Sequence, residues 1–302
     1  MKIAILMSTY NGEKYVKEQI NSVLQQQGDF ELDLYVRDDK SNDRTIEIIN
    51  EYSKKGMLYL INGTNLGPAK SFMELMRFVD LSYDFYAFSD QDDFWYPDKI
   101  KKTVEMLKND DLPSVCFSNA DVVNENLQQT GLQVYKKQPR LDVKTLSCAG
   151  GILGCTMVFN RKMMELIKRS NSPIDMVMHD FYVSLLCKSI GGEIVYCSDS
   201  TMKYRQHNNN VIGVSRGKKS AIKSFVKQLN RHITISIADQ AESILQEYRD
   251  MLSISDEQWL IQLSNYRNSI FTRIRLSCSR ETKYISLHNS IMLRMLILLG
   301  NR

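Results

Sequence analysis

The segment Ser89–Lys99 reads SDQDDFWYPDK and follows an apolar run, Phe85–Phe88. It sets three carboxylates, Asp90, Asp92 and Asp93, at the end of a buried strand. Like charges this close repel, and each must be solvated or paired. A turn that stops the strand and leads to a helix near Pro97 would keep them solvated. A divalent cation would instead neutralise them, because hard oxygen ligands suit Mg2+ or Mn2+.

Three more polar clusters recur at comparable places. Ser8-Thr9-Tyr10 follows the apolar run Ile3–Met7, Asp38-Asp39 follows Leu32–Val36, and Asn65-Leu66-Gly67-Pro68 follows Leu58–Ile61. Helical periodicity separates these runs: Glu13–Gln25, Thr45–Tyr52, Ala69–Val79 and Asp98–Leu107. A fifth strand is expected at Val115–Ser118 and another at Glu193–Tyr196. Such alternation predicts an α/β fold with a mostly parallel sheet covered on both faces. Ligands bind such sheets beyond the carboxyl ends of the strands. All four clusters fall there.

No GxGxxG follows the first strand and no GxxxxGK[ST] occurs, and the GxSxG at Gly213–Gly217 follows no apolar run that would make it a strand-to-helix elbow. The edge therefore lacks a phosphate-cradling glycine loop. Carboxylates cannot hold a diphosphate directly, but a cation bound to them bridges to one.

The segments MSTYNGEKYVKEQINSVLQQ, VRDDKSNDRT, NLGPAKSF and FSDQDDFWYPDK resemble the successive motifs of family 2 glycosyltransferases, which have the GT-A fold. The resemblance continues through Gly150-Gly151, Gly154-Cys155-Thr156, Met178-His179-Asp180 and Tyr204-Arg205-Gln206-His207-Asn208. The last two motifs are most similar to the rhamnosyltransferase-like branch, whose members use dTDP-L-rhamnose in bacterial surface polysaccharide synthesis. The resemblance implies an inverting, metal-dependent transferase with Mg2+ or Mn2+ as cofactor. Its donor would be a dTDP- or UDP-sugar, and its acceptor a saccharide carried in some members on polyprenyl diphosphate.

By that resemblance Thr9 and Tyr10 contact the nucleotide base, and Asp38 or Asp39 hydrogen-bonds it, Asp38 being preferred and Asp39 also read as a cap for the next helix. Asn65 lies near the ribose. Asp90 and Asp92 form the DxD pair, with Asp93 a third candidate ligand. Asp180 is the expected base that deprotonates the acceptor hydroxyl; it also reads as an N-cap. Arg205 is expected beside the departing diphosphate. His207 is a candidate diphosphate contact or metal ligand, reading equally as a surface or core histidine. His179 and Trp95 are acceptor-side candidates, Trp95 reading equally as a packing residue. Asn208–Asn210 reads as a loop able to close over the donor.

The expected division is a catalytic domain over 1–214 and a basic helical region over 215–302. Residues 215–302 carry 14 Lys+Arg against 7 Asp+Glu, a net of +7, which leaves −3 for the rest of the +4 chain. Tyr266, Ile270, Phe271 and Ile274 form an apolar stripe with Arg267, Arg273 and Arg275 close by. That pattern fits an anionic membrane surface, packing on the catalytic domain, or a homodimer interface. Interleaved aromatics and nucleic-acid motifs are absent, so no nucleic-acid partner is expected. A non-catalytic nucleotide-sugar-binding protein and a nucleotidyltransferase are the competing classes. STYNGE is not the triphosphate loop the latter needs. The six cysteines form no CxxC pair, and buried free thiols are expected. No run reaches the ~20 apolar residues of a spanning helix. With no signal-peptide core, a cytoplasmic location, peripheral at most to the inner membrane face, is the expectation.

Overall fold

The protein is described by a computed structural model covering residues 1–107, 111–170, 174–207, 235–280, 282 and 287–300. The expected boundary at 214/215 and the Asn208–Asn210 loop lie outside these residues.

Two compact units are present. The first comprises Met1–Gln138, Ile152–Asn171 and Gly192–Asn210; the second comprises Pro139–Gly151, Ser172–Gly191 and Val211–Arg302. The first is built on one sheet. Its strands are β1 (Lys2–Thr9), β2 (Glu31–Asp38), β3 (Tyr59–Asn62), β4 (Phe85–Ser89), β5 (Phe94–Trp95), β6 (Ser114–Val123), β7 (Gln129–Gln133), β8 (Met157–Asn160) and β9 (Glu193–Arg205). The spatial order is β3-β2-β1-β4-β8-β6-β9-β5, with β7 paired to β6. Helices α1 (Val16–Leu24), α2 (Thr45–Ser53), α3 (Pro68–Phe78), α4 (Lys99–Val104) and α6 (Arg161–Arg169) complete it.

The strands β3, β2, β1 and β4 run parallel, as the strand–helix alternation predicts. Beyond them the sheet is mixed rather than mostly parallel, because β8 inserts antiparallel between β4 and β6. Ile3–Met7 are fully buried, the pattern of a strand covered on both faces. Phe159 of β8 packs its ring 5.7 Å from Tyr86 and 5.1 Å from Phe88, joining the two halves of the core.

β6 and β9 run well past their expected ends. They pair in parallel through Val122↔Tyr204 and Val123↔Arg205, with a register shift after Ser118. The polar stretch of β9 hides this continuation in the sequence. Thr201 is buried and shares a 2.6 Å hydrogen bond with Ser118. Arg205 therefore lies within a strand rather than after one.

The described residues of the second unit form helices: α5 (Val143–Ala149), α7 (His179–Ser189), α8 (Ile237–Tyr248), α9 (Ile254–Ser264), α10 (Ile270–Ser277) and α11 (Leu287–Leu298). Two segments from within 1–214 join it. Trp259 Nε1 donates to Ser147 Oγ at 2.9 Å, and Val177 N donates to Gln240 Oε1 at 2.9 Å. Among the described residues no helix is long and apolar enough to cross a membrane. Five cysteines are buried free thiols, and Cys278 is exposed.

Candidate active site

Strand register assembles the first part of the site. It places Thr9 opposite Asp38, Asp38 opposite Asn62, and Met7 opposite Ser89. The polar residues that follow these strands are thereby brought to one edge. Thr9 Oγ1 donates to Asp38 Oδ1 at 2.9 Å, and Ser41 donates to both oxygens of Asp38 from its side chain and backbone. Asp39 does not cap α2. Its carboxylate is ion-paired with Arg37 at 2.5 Å and accepts the Leu66 and Gly67 amides. It thus fixes the Asn65–Gly67 turn, in which Gly67 has φ 78°, a left-handed conformation that favours glycine. Asn65 is exposed there, and so is Tyr10.

The acidic loop between β4 and β5 holds two groups. In the first, Asp92 Oδ2 lies 2.7 Å from His207 Nε2, although the residues are 115 positions apart. Both side chains keep some exposure, 17% for Asp92 and 9% for His207. Tyr15 stacks on the His207 ring at 5.0 Å. In the second, one ligand atom each from Asp90, Asp93 and Cys155 lies within 4.8 Å of the others. Asp93 is fully buried. Its Oδ1 accepts the Arg205 amide at 3.1 Å, while Oδ2 has no hydrogen-bond partner. Burial, then the Asp92 and Asp90 carboxylates, raise the Asp93 carboxyl well above its ordinary range. Burial, then Asp93, likewise pushes the Cys155 thiol up. Lys99 lies among these groups with Nζ 2.9 Å from the Cys155 carbonyl and 4.8 Å from the Trp95 ring; burial lowers it to about 8.

Carboxylate oxygens suit Mg2+ or Mn2+, whereas a soft thiol ligand does not. The Asp92 carboxylate, with the His207 nitrogen 2.7 Å away, offers such an oxygen donor, and Asp90 offers another in the second group.

Arg205 is anchored by groups of the protein itself. Its guanidinium is buried, donates to the Asp92 carbonyl at 2.7 Å and the Glu125 carbonyl at 2.5 Å, and is ion-paired with Glu18. Its plane lies 4.5 Å from the Tyr15 ring. Trp95, at 1% exposure, is a core residue whose amide bonds Ser22. Sequence reasoning missed Gln91, Tyr15 and Glu18. Gln91 is the middle residue of the DxD, and its amide bonds the Tyr10 backbone. Gly12 was the available signal, since a Cβ there would come 2.2 Å from Gln91 Oε1.

Asp180 and His179 belong to the second unit and open α7. The N-cap is Met178, so Asp180 is a first-turn residue rather than the cap. Its Oδ1 accepts the Phe181 amide at 2.7 Å. His179 is buried, and desolvation lowers it to about 3, so the ring is neutral at pH 7.

A parallel half-sheet with acidic residues beyond its carboxyl ends, continued by antiparallel strands, is the architecture of the GT-A fold. The chain belongs to glycosyl transferase family 2, whose profile matches residues 4–167. It is 31% identical over 232 residues to the dTDP-rhamnosyl transferase RfbG of Shigella flexneri, spanning 72% of this chain and 77% of that protein. S. aureus TarS 1–349 in complex with UDP-GlcNAc has the same fold, with TM-score 0.56 and 17% identity over 99% of this chain and 91% of that one. So does mannosyltransferase PcManGT of Pyrobaculum calidifontis, solved with GDP-Man and Mn2+, with TM-score 0.54 and 13% identity over 99% of this chain and 74% of that one. The protein is a glycosyltransferase.

Proposed function

We propose that this enzyme transfers L-rhamnose from dTDP-L-rhamnose to a saccharide acceptor, with inversion, in bacterial surface polysaccharide synthesis. The likeness to RfbG supports the donor. The observation that carries metal dependence is the Asp92–His207 pair at 2.7 Å, an oxygen and a nitrogen donor side by side at the sheet edge. When bound, Mg2+ or Mn2+ neutralises charge on the diphosphate.

Thr9, Tyr10, Asp38 and Asn65 line the nucleotide side, with Asp90 toward the ribose. Asp39 acts through the turn it fixes. Asp180 is the base: it takes the proton of the acceptor hydroxyl, the oxygen bonds to the anomeric carbon, and the bond from that carbon to the diphosphate oxygen breaks. Nucleoside diphosphate leaves. First-turn placement in α7 favours a negative group. Neutral His179 is assigned to shaping the acceptor side. Arg205 is assigned to positioning, because its donors hold the loop that carries Asp92.

The test is product release from a panel of dTDP- and UDP-sugars with a saccharide acceptor, free or polyprenyl-diphosphate-linked. Acceptor-dependent dTDP release from dTDP-L-rhamnose is expected. Turnover of UDP-sugars alone would move the donor assignment to UDP. No acceptor-dependent release from any donor would favour a nucleotide-sugar-binding protein.

A further inference from the structure

The two last described helices carry an apolar surface that the transferase reading does not use. On α10, Ile270, Phe271 and Ile274 are 54%, 81% and 47% exposed. With Arg275 and Cys278, also exposed, they recur as i, i+1, i+4, i+5 and i+8, which is one helix face. Among the described side chains of α11, Ile291, Met295 and Leu298 are exposed, followed by Leu299. They form a second apolar face, while Leu293, Leu296 and Ile297 point inward. Of the sequence-predicted stripe, only Tyr266 is buried. Packing therefore leaves the rest of that stripe in solvent.

The two faces belong to one tied pair. Arg294 of α11 donates to the Ser279 carbonyl just past α10 at 3.0 Å. Arg273 of α10 packs against Gly300 just past α11. α11 has 12 residues, too few for the ~20 needed to span a bilayer. An apolar face of this kind instead lies in the headgroup region with its axis along the surface.

Charge selects the occupant. Residues 265–302 hold seven Lys+Arg and a single acidic residue, Glu281. Arg275 is on the apolar face itself, and Arg280 is exposed just beyond it. A second copy docked through the same face would bring these cations against their own counterparts, since a two-fold interface is self-complementary. An anionic bilayer meets both features at once.

We infer that the α10–α11 face is a docking surface for an anionic phospholipid membrane. Apolar side chains enter the interface and the surrounding arginines meet lipid phosphates.

The experiment is co-sedimentation of the purified full chain with phosphatidylcholine vesicles, with and without phosphatidylglycerol. Binding is expected only when phosphatidylglycerol is present, and it should weaken as salt shortens the Debye length to about 10 Å or less. Arg275→Glu with Arg280→Glu should lower partitioning roughly tenfold or more. Phe271→Asp with Met295→Asp should lower it as well, with circular dichroism and nucleotide affinity unchanged. Both pairs change exposed side chains, so a loss of binding in the arginine pair with native circular dichroism stands even if the apolar pair misfolds. Equal sedimentation with both vesicle types at low salt would overturn the inference. So would wild-type binding in a folded arginine pair, or a dimer in light scattering that Phe271→Asp dissociates while vesicles bind nothing.

Discussion

Gln91 clasps the backbone of Tyr10 from both ends of its amide. Oε1 accepts the Tyr10 N–H at 2.9 Å and Nε2 donates to the Tyr10 carbonyl at 3.0 Å. The residue between the two acidic positions of the DxD thereby sets the backbone that follows β1. The acidic loop after β4 and the segment after β1 are linked by one side chain.

Gln91→Ala should weaken nucleotide binding by about 1–2 kcal/mol through loss of two hydrogen bonds. Gly12→Ala should do nearly the same, since its methyl must displace the Gln91 amide. The double variant should then be far from additive. Calorimetry on the three variants checks this; full additivity would show that Gln91 does not mediate the Gly12 effect.

Arg205→Lys keeps the charge but loses the planar fork that reaches Glu18 and the Asp92 and Glu125 carbonyls. Unfolding in urea should show a loss of roughly 2–4 kcal/mol. Unchanged stability with reduced diphosphate affinity would return Arg205 to a donor contact.

Buried His179 titrates near about 3, against about 6.5 in an unfolded chain. Between those values the unfolded state binds the extra proton, so stability falls as pH falls through the window. About 2 kcal/mol should be lost from about pH 7 to about pH 5 through this group alone. His179→Leu should flatten that part of the stability profile. An unchanged slope would show that His179 gains a proton without unfolding.

Asp180→Asn should retain donor binding and cut transfer by about 10²-fold or more, as loss of a general base does. With Met178 as the N-cap, little stability should be lost. Near-normal turnover would exclude Asp180 as the base.

The parallel half of the sheet was legible because Ile3–Met7 and Phe85–Phe88 are uninterrupted apolar runs closed by polar turns. β8 was not singled out, since a four-residue apolar segment carries no periodicity of its own. β9 was read short because Ser198 to Thr201 look like a turn, and only pairing with β6 keeps them extended. Asp92 and His207 were both nominated by residue type. Their proximity depends on the β5–β9 pairing, which no local pattern encodes. The contacts of Arg205 with Tyr15 and Glu18 were illegible for the same reason. The partners of the Arg205 guanidinium, two carbonyls and the Glu18 carboxylate, come from distant stretches of the chain.

In the proposed mechanism Asp92 and His207 hold the cation through which the donor diphosphate is bound. Calorimetric titration of dTDP into the purified enzyme, with Mn2+ and after chelation, tests it most directly. The wild type should bind at least about tenfold more tightly with Mn2+, a difference of about 1.4 kcal/mol. Asp92→Asn and His207→Ala should each lose that difference while keeping the weaker, cation-free affinity. Equal wild-type affinity with and without Mn2+, or full Mn2+ enhancement in both variants, would contradict the account.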